Sequence, residues 1–260
     1  MRPAVLILAA AALALCVGVP VAAEVNQDGD LQVVFEGAMR PAALPREGAA
    51  PVTVRVAGDI RSAASGPDTL PQLLSISVAI NREGRLFDRG LPICPIAEVQ
   101  PATERNARRE CRGAIVGSGH VRLRVRLPNQ PPFPVRANLL AFNGPRRNGR
   151  KLIYAQAYAG KPPGAFVLTF RIDRRPGVLG TVMSTTLPPA ARRWAYLTHF
   201  DMALHRTYWW HGASRSYVSA GCPAPPGFRS VEFPLAAATY GFADGRSLGV
   251  STVGRCRVRG

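Results

Sequence analysis

The sequence predicts a mainly β protein, either an antiparallel β-sandwich or a curled sheet forming a partly open barrel, with one short helix. Three observations predict it. Apolar residues recur with a period of two in run after run, the pattern of antiparallel strands with one solvated face. Clusters of Gly, Pro, Asn and Asp separate those runs at short intervals. Four cysteines (Cys94, Cys111, Cys222 and Cys256) follow the N-terminal leader, an even count that reads as disulfides in an exported chain.

Residues 1–23 read as a secretory signal. Arg2 supplies a positive start, Val5 to Val19 form an apolar run, and Pro20 breaks it. Val21-Ala22-Ala23 places small residues at −3 and −1, so cleavage is expected after Ala23. The run falls short of the about 20 residues of a membrane span. No later segment is apolar and long enough to span, so no transmembrane segment is expected after signal removal. A lipid anchor retained on Cys16 is the competing reading, disfavoured by the bulky Leu15 beside it. The mature chain is expected to be exported: extracellular, periplasmic or associated with the cell envelope.

Residues 24–72 are crowded with Pro, Ala and Gly and read as a partly flexible N-terminal portion. One strand stands out there, "PVTVRVAG", in which Val52, Val54 and Val56 alternate with Thr53 and Arg55. Residues 73–260 read as the main disulfide-stabilised antiparallel domain. "LSISVAIN" sets Leu74, Ile76, Val78 and Ile80 against Ser75, Ser77 and Ala79. "GHVRLRVRLP" sets Val121, Leu123, Val125 and Leu127 inward and His120, Arg122, Arg124 and Arg126 outward. "AFVLTFRID" aligns Phe166, Leu168, Phe170 and Ile172. Turns are expected at Asn81–Gly84, Asn143-Gly144-Pro145, Lys161–Gly164 and Ala243–Arg246, the last as an Asp-Gly hairpin.

"ATERNARRECR", residues 102–112, breaks the alternation and is rich in helix formers. Thr103 is placed to cap it, Glu104 to pair with Arg108 one turn on, and Gly113 to stop it. Of the three possible cysteine pairings we favour Cys94–Cys111 with Cys222–Cys256, because each closes a local segment. Loops of roughly 17 and 34 residues are worth about 3 and 4 kcal/mol on the loop-entropy model. No two of these cysteines lie within four residues of each other, which argues against zinc.

The 260-residue chain carries 33 basic residues against 16 acidic ones, and loss of Arg2 with the leader leaves a formal +16. Only Lys151 and Lys161 are lysines. Codon bias in a GC-rich genome produces such arginine excess. Attraction to an anionic envelope polymer or to phospholipid headgroups is the functional reading. The chain has no basic helix and no recognition motif, so no specific nucleic-acid partner is expected.

His199, His205 and His211 recur at a spacing of six in "THFDMALHRTYWWHG". On one strand they would share a face, yet His199 and His205 would stand about 20 Å apart at ~3.3 Å per residue. A single metal ion needs its nitrogen ligands within about 2.1 Å. Only a cross-strand set remains as a weak metal or acid–base candidate: His199 and Asp201 with His120. The preferred reading is a wet face without metal, with Trp209 and Tyr217 adding aromatic surface. "VGSGH" around Ser118 lacks the second glycine of a nucleophile elbow. No phosphate loop, zinc-protease or calcium motif occurs, and the acids (Asp88, Glu98, Asp173, Asp201, Glu232, Asp244) are dispersed. No cofactor is expected, and the balance leans away from an enzyme.

The segments "GRLFDRGLPICP", "NLLAFNG", "YLTHFDMAL", "SAGCPAPPGF" and "FADGRSLG…CRVR" resemble an uncharacterised family of exported proteins from high-GC bacteria. The likeness covers most of residues 74–259 and implies a recurring unit with both cysteine pairs as fixed parts. It carries no activity and no catalytic residues.

The expected function is a non-enzymatic exported binding module for an amphipathic lipid or anionic envelope polymer. Arg122, Arg124, Arg126, Trp209 and Tyr217 are its candidate ligand contacts. Two alternatives remain: a hydrolase with a cross-strand His/Asp site, with or without a metal, and a structural or interaction domain without a small ligand.

Overall fold

The computed structural model describes residues 23–63, 70–100 and 102–259. The expected signal, with Cys16, lies outside the described residues except for Ala23. The described chain opens with the hairpin β1 (Glu24–Asp28) and β2 (Leu31–Arg40). Short β3 (Ala43–Leu44) and β4 (Ala50–Pro51) lead into β5 (Thr53–Ser62). Then come β6 (Leu73–Ile80), β7 (Gly84–Leu86) and two short helices, α1 (Ile96–Val99) and α2 (Glu104–Glu110). Four long strands follow: β8 (Ile115–Val125), β9 (Phe133–Arg147), β10 (Arg150–Gly160) and β11 (Pro163–Arg174). β12 (Thr181–Thr186) is joined to β13 (Ala195–Leu204) through α3 (Pro189–Trp194). Hairpin β14 (Thr207–Trp210) and β15 (Ala213–Ser216) and short β16 (Val218–Ala220) precede the final hairpin, β17 (Ser230–Phe242) and β18 (Ser247–Val258).

Thirteen of these strands form one curled sheet, a half barrel, in the order β1-β2-β5-β13-β8-β9-β10-β11-β12-β6-β17-β18-β3. Every pairing in it is antiparallel except that of β3 with β18. The curl brings its two ends together through side chains. Asn26 on β1 donates to the Gly249 carbonyl of β18 at 2.8 Å. Arg246 reaches the Asp28 carbonyl and the Asp30 carboxylate, each at 2.9 Å. The choice left open by the sequence, sandwich or curled sheet, is therefore decided for the curled sheet.

The N-terminal portion belongs to this same sheet. β2 buries Leu31, Val33 and Phe35 completely and pairs along its whole length with β5. Its run "LQVVF" is apolar on both faces, so the period-two signal is blurred. The Asn143-Gly144-Pro145 turn does not form: these residues continue β9, and Asn143 is buried, donating to the Pro92 carbonyl. The chain turns instead at Asn148-Gly149. Arg147 pairs with Arg150, and both loop residues take positive φ (52° and 74°), which Asn and Gly tolerate. The remaining turns form as expected, Asn81 accepting from the Glu83 amide in the first.

Two β-bulges change which residues face inward. One on β6 turns Leu73 rather than Leu74 to the interior, and one at Thr198 puts Ala195 and Leu197 on the same side as Phe200. The helix at 104–110 forms with Thr103 accepting from the Asn106 amide and Glu104 bridged to Arg108 at 2.8 Å. It is one of three short α-helices among the described residues. With α1 and the Cys94–Cys111 bridge it covers Leu140, Phe142, Leu152, Tyr154 and Val167 on the outer face of β9, β10 and β11. Gln156 pins this layer by donating to the carbonyls of Val99 and Ala102, both at 2.8 Å. The Cys222–Cys256 bridge also forms, tying the segment before β17 to β18.

Candidate functional site

The inward residues of eight strands converge on one apolar cavity. β5 supplies Val54 and Val56, β8 supplies Val121 and Leu123, and β11 supplies Phe166, Leu168 and Phe170. β13 contributes five residues, from Ala195 to Leu204. The rest come from β6, β9, β10, β12 and Leu187, and not one lining residue is polar. The cavity has a volume of about 120 Å³. That is comparable with the roughly 150 Å³ engineered cavity that stays dry and admits benzene. From Ala195 to Leu204 the lining spans about 30 Å at ~3.3 Å per residue.

The two ends of this interior are built differently. At one end the small sheet β4-β16-β7 and buried Tyr217, Leu44 and Val52 form a plug. Beyond it, Gly58 makes room for two rings: a Cβ there would lie 2.6 Å from Phe200 and 2.7 Å from the Tyr240 hydroxyl. At the other end β8 and β13 meet at Val125 and Ala195. Residues 187–194, including α3, cross here from β12 to β13, strands separated in the sheet by β8, β9, β10 and β11. Leu187 and Ala195, which flank α3, both line the cavity, so α3 roofs it.

The candidate metal set does assemble, on the opposite, outward face of β5, β13 and β8. Asp201 stands in register with His120, and His199 with Asp59. The His120 and His199 rings lie 5.3 Å apart. Both carboxylates, however, are held by arginines. Arg55 grips Asp201 with two nitrogens, Nε at 2.9 Å and Nη2 closer still. Asp59 lies 3.6 Å from Arg122, 3.5 Å from Arg61 and 3.2 Å from His199. The Arg55 guanidinium keeps the Asp201 carboxyl below its ordinary value, against burial, which pushes it up. No group of three or more His, Cys, Asp or Glu suited to a metal ion occurs among the described residues. The chemistry of this face is ion pairing between strands.

The six-residue histidine spacing spreads over three settings, because residues 196–210 are not one strand. β13 ends at Leu204, where the His205 amide turns back to the Val116 carbonyl, and a separate hairpin begins at Thr207. His205 is exposed, while His211 occupies the β14–β15 turn with φ +50°, its ring 4.2 Å from that of Trp210 and tilted by 57°. That hairpin is anchored by Tyr208, donating to the Arg89 carbonyl at 2.8 Å, and by Trp210 against Phe87 at 5.5 Å. Trp209 alternates outward and is 73% exposed. Tyr217 is 1% exposed, its phenol raised well above the ordinary value by burial, so it lies in the core and not beside Trp209. Of the three arginines expected on this face, Arg122 on β8 lies 3.6 Å from Asp59, and Arg126, just past the end of β8, lies 5.1 Å over the Tyr196 ring.

Strand alternation in the sequence marks much of the cavity wall. It marks none of the roof, "PPAARRW", which has no periodicity to flag it. No protein-family model, curated protein or solved structure matches this chain. Among the described residues no helix is long and apolar enough to cross a membrane, and both cysteine pairs form disulfides.

Proposed function

We propose that the protein is an exported, non-enzymatic binding module that takes the apolar part of an amphipathic lipid into its curled sheet. The observation that carries this reading is the cavity of about 120 Å³ walled only by apolar side chains. Protein interiors normally close such space, since it forfeits dispersion contacts. At about 24 cal/mol per Å³ an empty void of this size costs roughly 3 kcal/mol. A chain that keeps it open gains that much when an apolar group fills it. A wall that follows β13 from Ala195 to Leu204 suits an alkyl or isoprenoid chain, admitted further by rotamer shifts of Phe166, Phe170 and Met202 on that wall. Disulfides at both cysteine pairs fit an oxidising, exported setting.

Native mass spectrometry of residues 24–260, purified from an oxidising compartment, tests the reading. The expected spectrum shows the mass deficit of two disulfides and a retained lipid-sized adduct. A bare chain that also takes up no added fatty alcohol would sink the proposal and leave an interaction domain as the better account.

A further inference from the structure

We propose that the roofed end of the sheet carries a subsite for the anionic headgroup of a phospholipid, formed by Arg192 and Arg193 on α3. This rests on the apolar-cavity reading and adds which headgroup the mouth of that cavity selects.

The first support is position. α3 crosses this end directly between Leu187 and Ala195, two residues of the cavity wall, so a chain inside the sheet would leave its headgroup beside the Arg192 and Arg193 side chains. The second is an unmet bonding need. The Arg192 Nε is buried and makes no hydrogen bond among the described residues. Buried polar groups are nearly always partnered, and a buried guanidinium N–H calls for an acceptor, preferably an anionic one. The third is charge. Three of the segments that border this end, residues 124–136, 158–166 and 187–196, contain Arg124, Arg126, Arg136, Lys161, Arg192 and Arg193 and no Asp or Glu, while Asp30 and Asp244, in turns at the same end, are bound by Arg246.

The fourth support is the aromatic pair beside these cations. The Arg193 guanidinium lies 4.9 Å over the Trp194 ring, and Arg126 lies 5.1 Å over Tyr196. Placement over the Trp194 ring satisfies Arg193 through its face and leaves its N–H groups to meet a phosphate. Trp and Tyr with one apolar side and one wet side suit the boundary between acyl chain and headgroup. Two other arginines are matched by carboxylates: Arg122 by Asp59 on β5 at 3.6 Å, and Arg150 by Asp173 at 3.0 Å.

The test uses the neutral fluorophore N-phenyl-1-naphthylamine to report on the interior, which neither arginine lines. It is displaced by dihexanoyl-phosphatidylglycerol or by dihexanoyl-phosphatidylcholine, both below micellar concentration. The wild-type chain is expected to prefer the anionic lipid by about tenfold, the worth of one charge-assisted contact. In Arg192→Gln/Arg193→Gln that preference should vanish while the fluorophore binds as before. Arg192→Lys/Arg193→Lys should keep part of the preference. Equal competition by the two lipids in the wild type overturns the subsite, as does a preference that survives the double Gln variant. Failure of the wild type to bind the fluorophore or either lipid removes the cavity reading itself, and the subsite with it.

Discussion

Ala155 sits on β10, 3% exposed, with its methyl group on the cavity wall. Two positions along, Ala157 also faces inward, but it is fully buried and does not border the cavity. The two alanines therefore share strand, face and residue type and differ in whether space lies beyond the methyl. Ala155→Leu adds three carbons, each worth about 0.8 kcal/mol when buried. They enter a void of about 120 Å³. The ideal gain of roughly 2.4 kcal/mol is reduced by imperfect fit, so we expect a net gain of about 1 kcal/mol. For a chain of this size that is a Tm rise of about 2–4 °C. Ala157→Leu has no space to enter and should lose about 1–3 kcal/mol to overpacking. Urea unfolding with the disulfides intact measures both, provided the slopes match the wild type. Ala155→Leu should in addition lose uptake of the neutral fluorophore. Equal destabilisation by both substitutions would refute the reasoning, since it would mean that no usable space lies at Ala155.

Other expectations follow from single contacts. Replacing Cys94 and Cys111 together by Ala should cost about 3 kcal/mol, and replacing Cys222 and Cys256 about 4 kcal/mol, in the same urea assay. Asp201 has a folded-state pKa below its unfolded one, because Arg55 hydrogen-bonds its charged form. Its stabilisation is thus complete above the unfolded value of about 3.9 and is lost as pH falls through the lower folded value. Asp201→Asn should flatten that acid limb of the stability–pH profile, and an unchanged limb would show that the pair contributes nothing. A Cβ on Gly119 would lie 1.9 Å from the Asp201 carbonyl oxygen. Gly119→Ala should therefore push β8 away from β13 and destabilise by about 3 kcal/mol, whereas a neutral result would disprove the close approach.

Much of the wall was readable from the chain alone. Val121 and Leu123, and Phe166 with Leu168 and Phe170, alternate so cleanly that their common face needed no structure. The 104–110 helix was equally local: Thr103, Glu104 and Arg108 act within one turn of one another. Both cysteine pairs close short segments, and they pair as local closure favours. Where local signals competed, the reading failed. Asn143-Gly144-Pro145 and Asn148-Gly149 are two turn signals five residues apart, and ladder pairing between β9 and β10 selects the second. The bulges at Thr198 and before Ile76 insert one residue, which inverts the parity that any alternation argument depends on.

By itself, then, the sequence determined what is local: the strand faces, the capped helix and the closure of each cysteine loop. These depend on residues within one turn or one strand of each other, and period-two burial or an i to i+4 contact is written directly into the chain. Only the tertiary structure decided the curl of the sheet, the space inside it, and the crossing of α3 over its end. Each depends on pairings such as β13 with β5 or β12 with β6, which join distant segments by backbone hydrogen bonds that carry no side-chain signature. The same is true of Arg192. Nothing in "PPAARRW" distinguishes it from its neighbour until the roof is built and its Nε is enclosed.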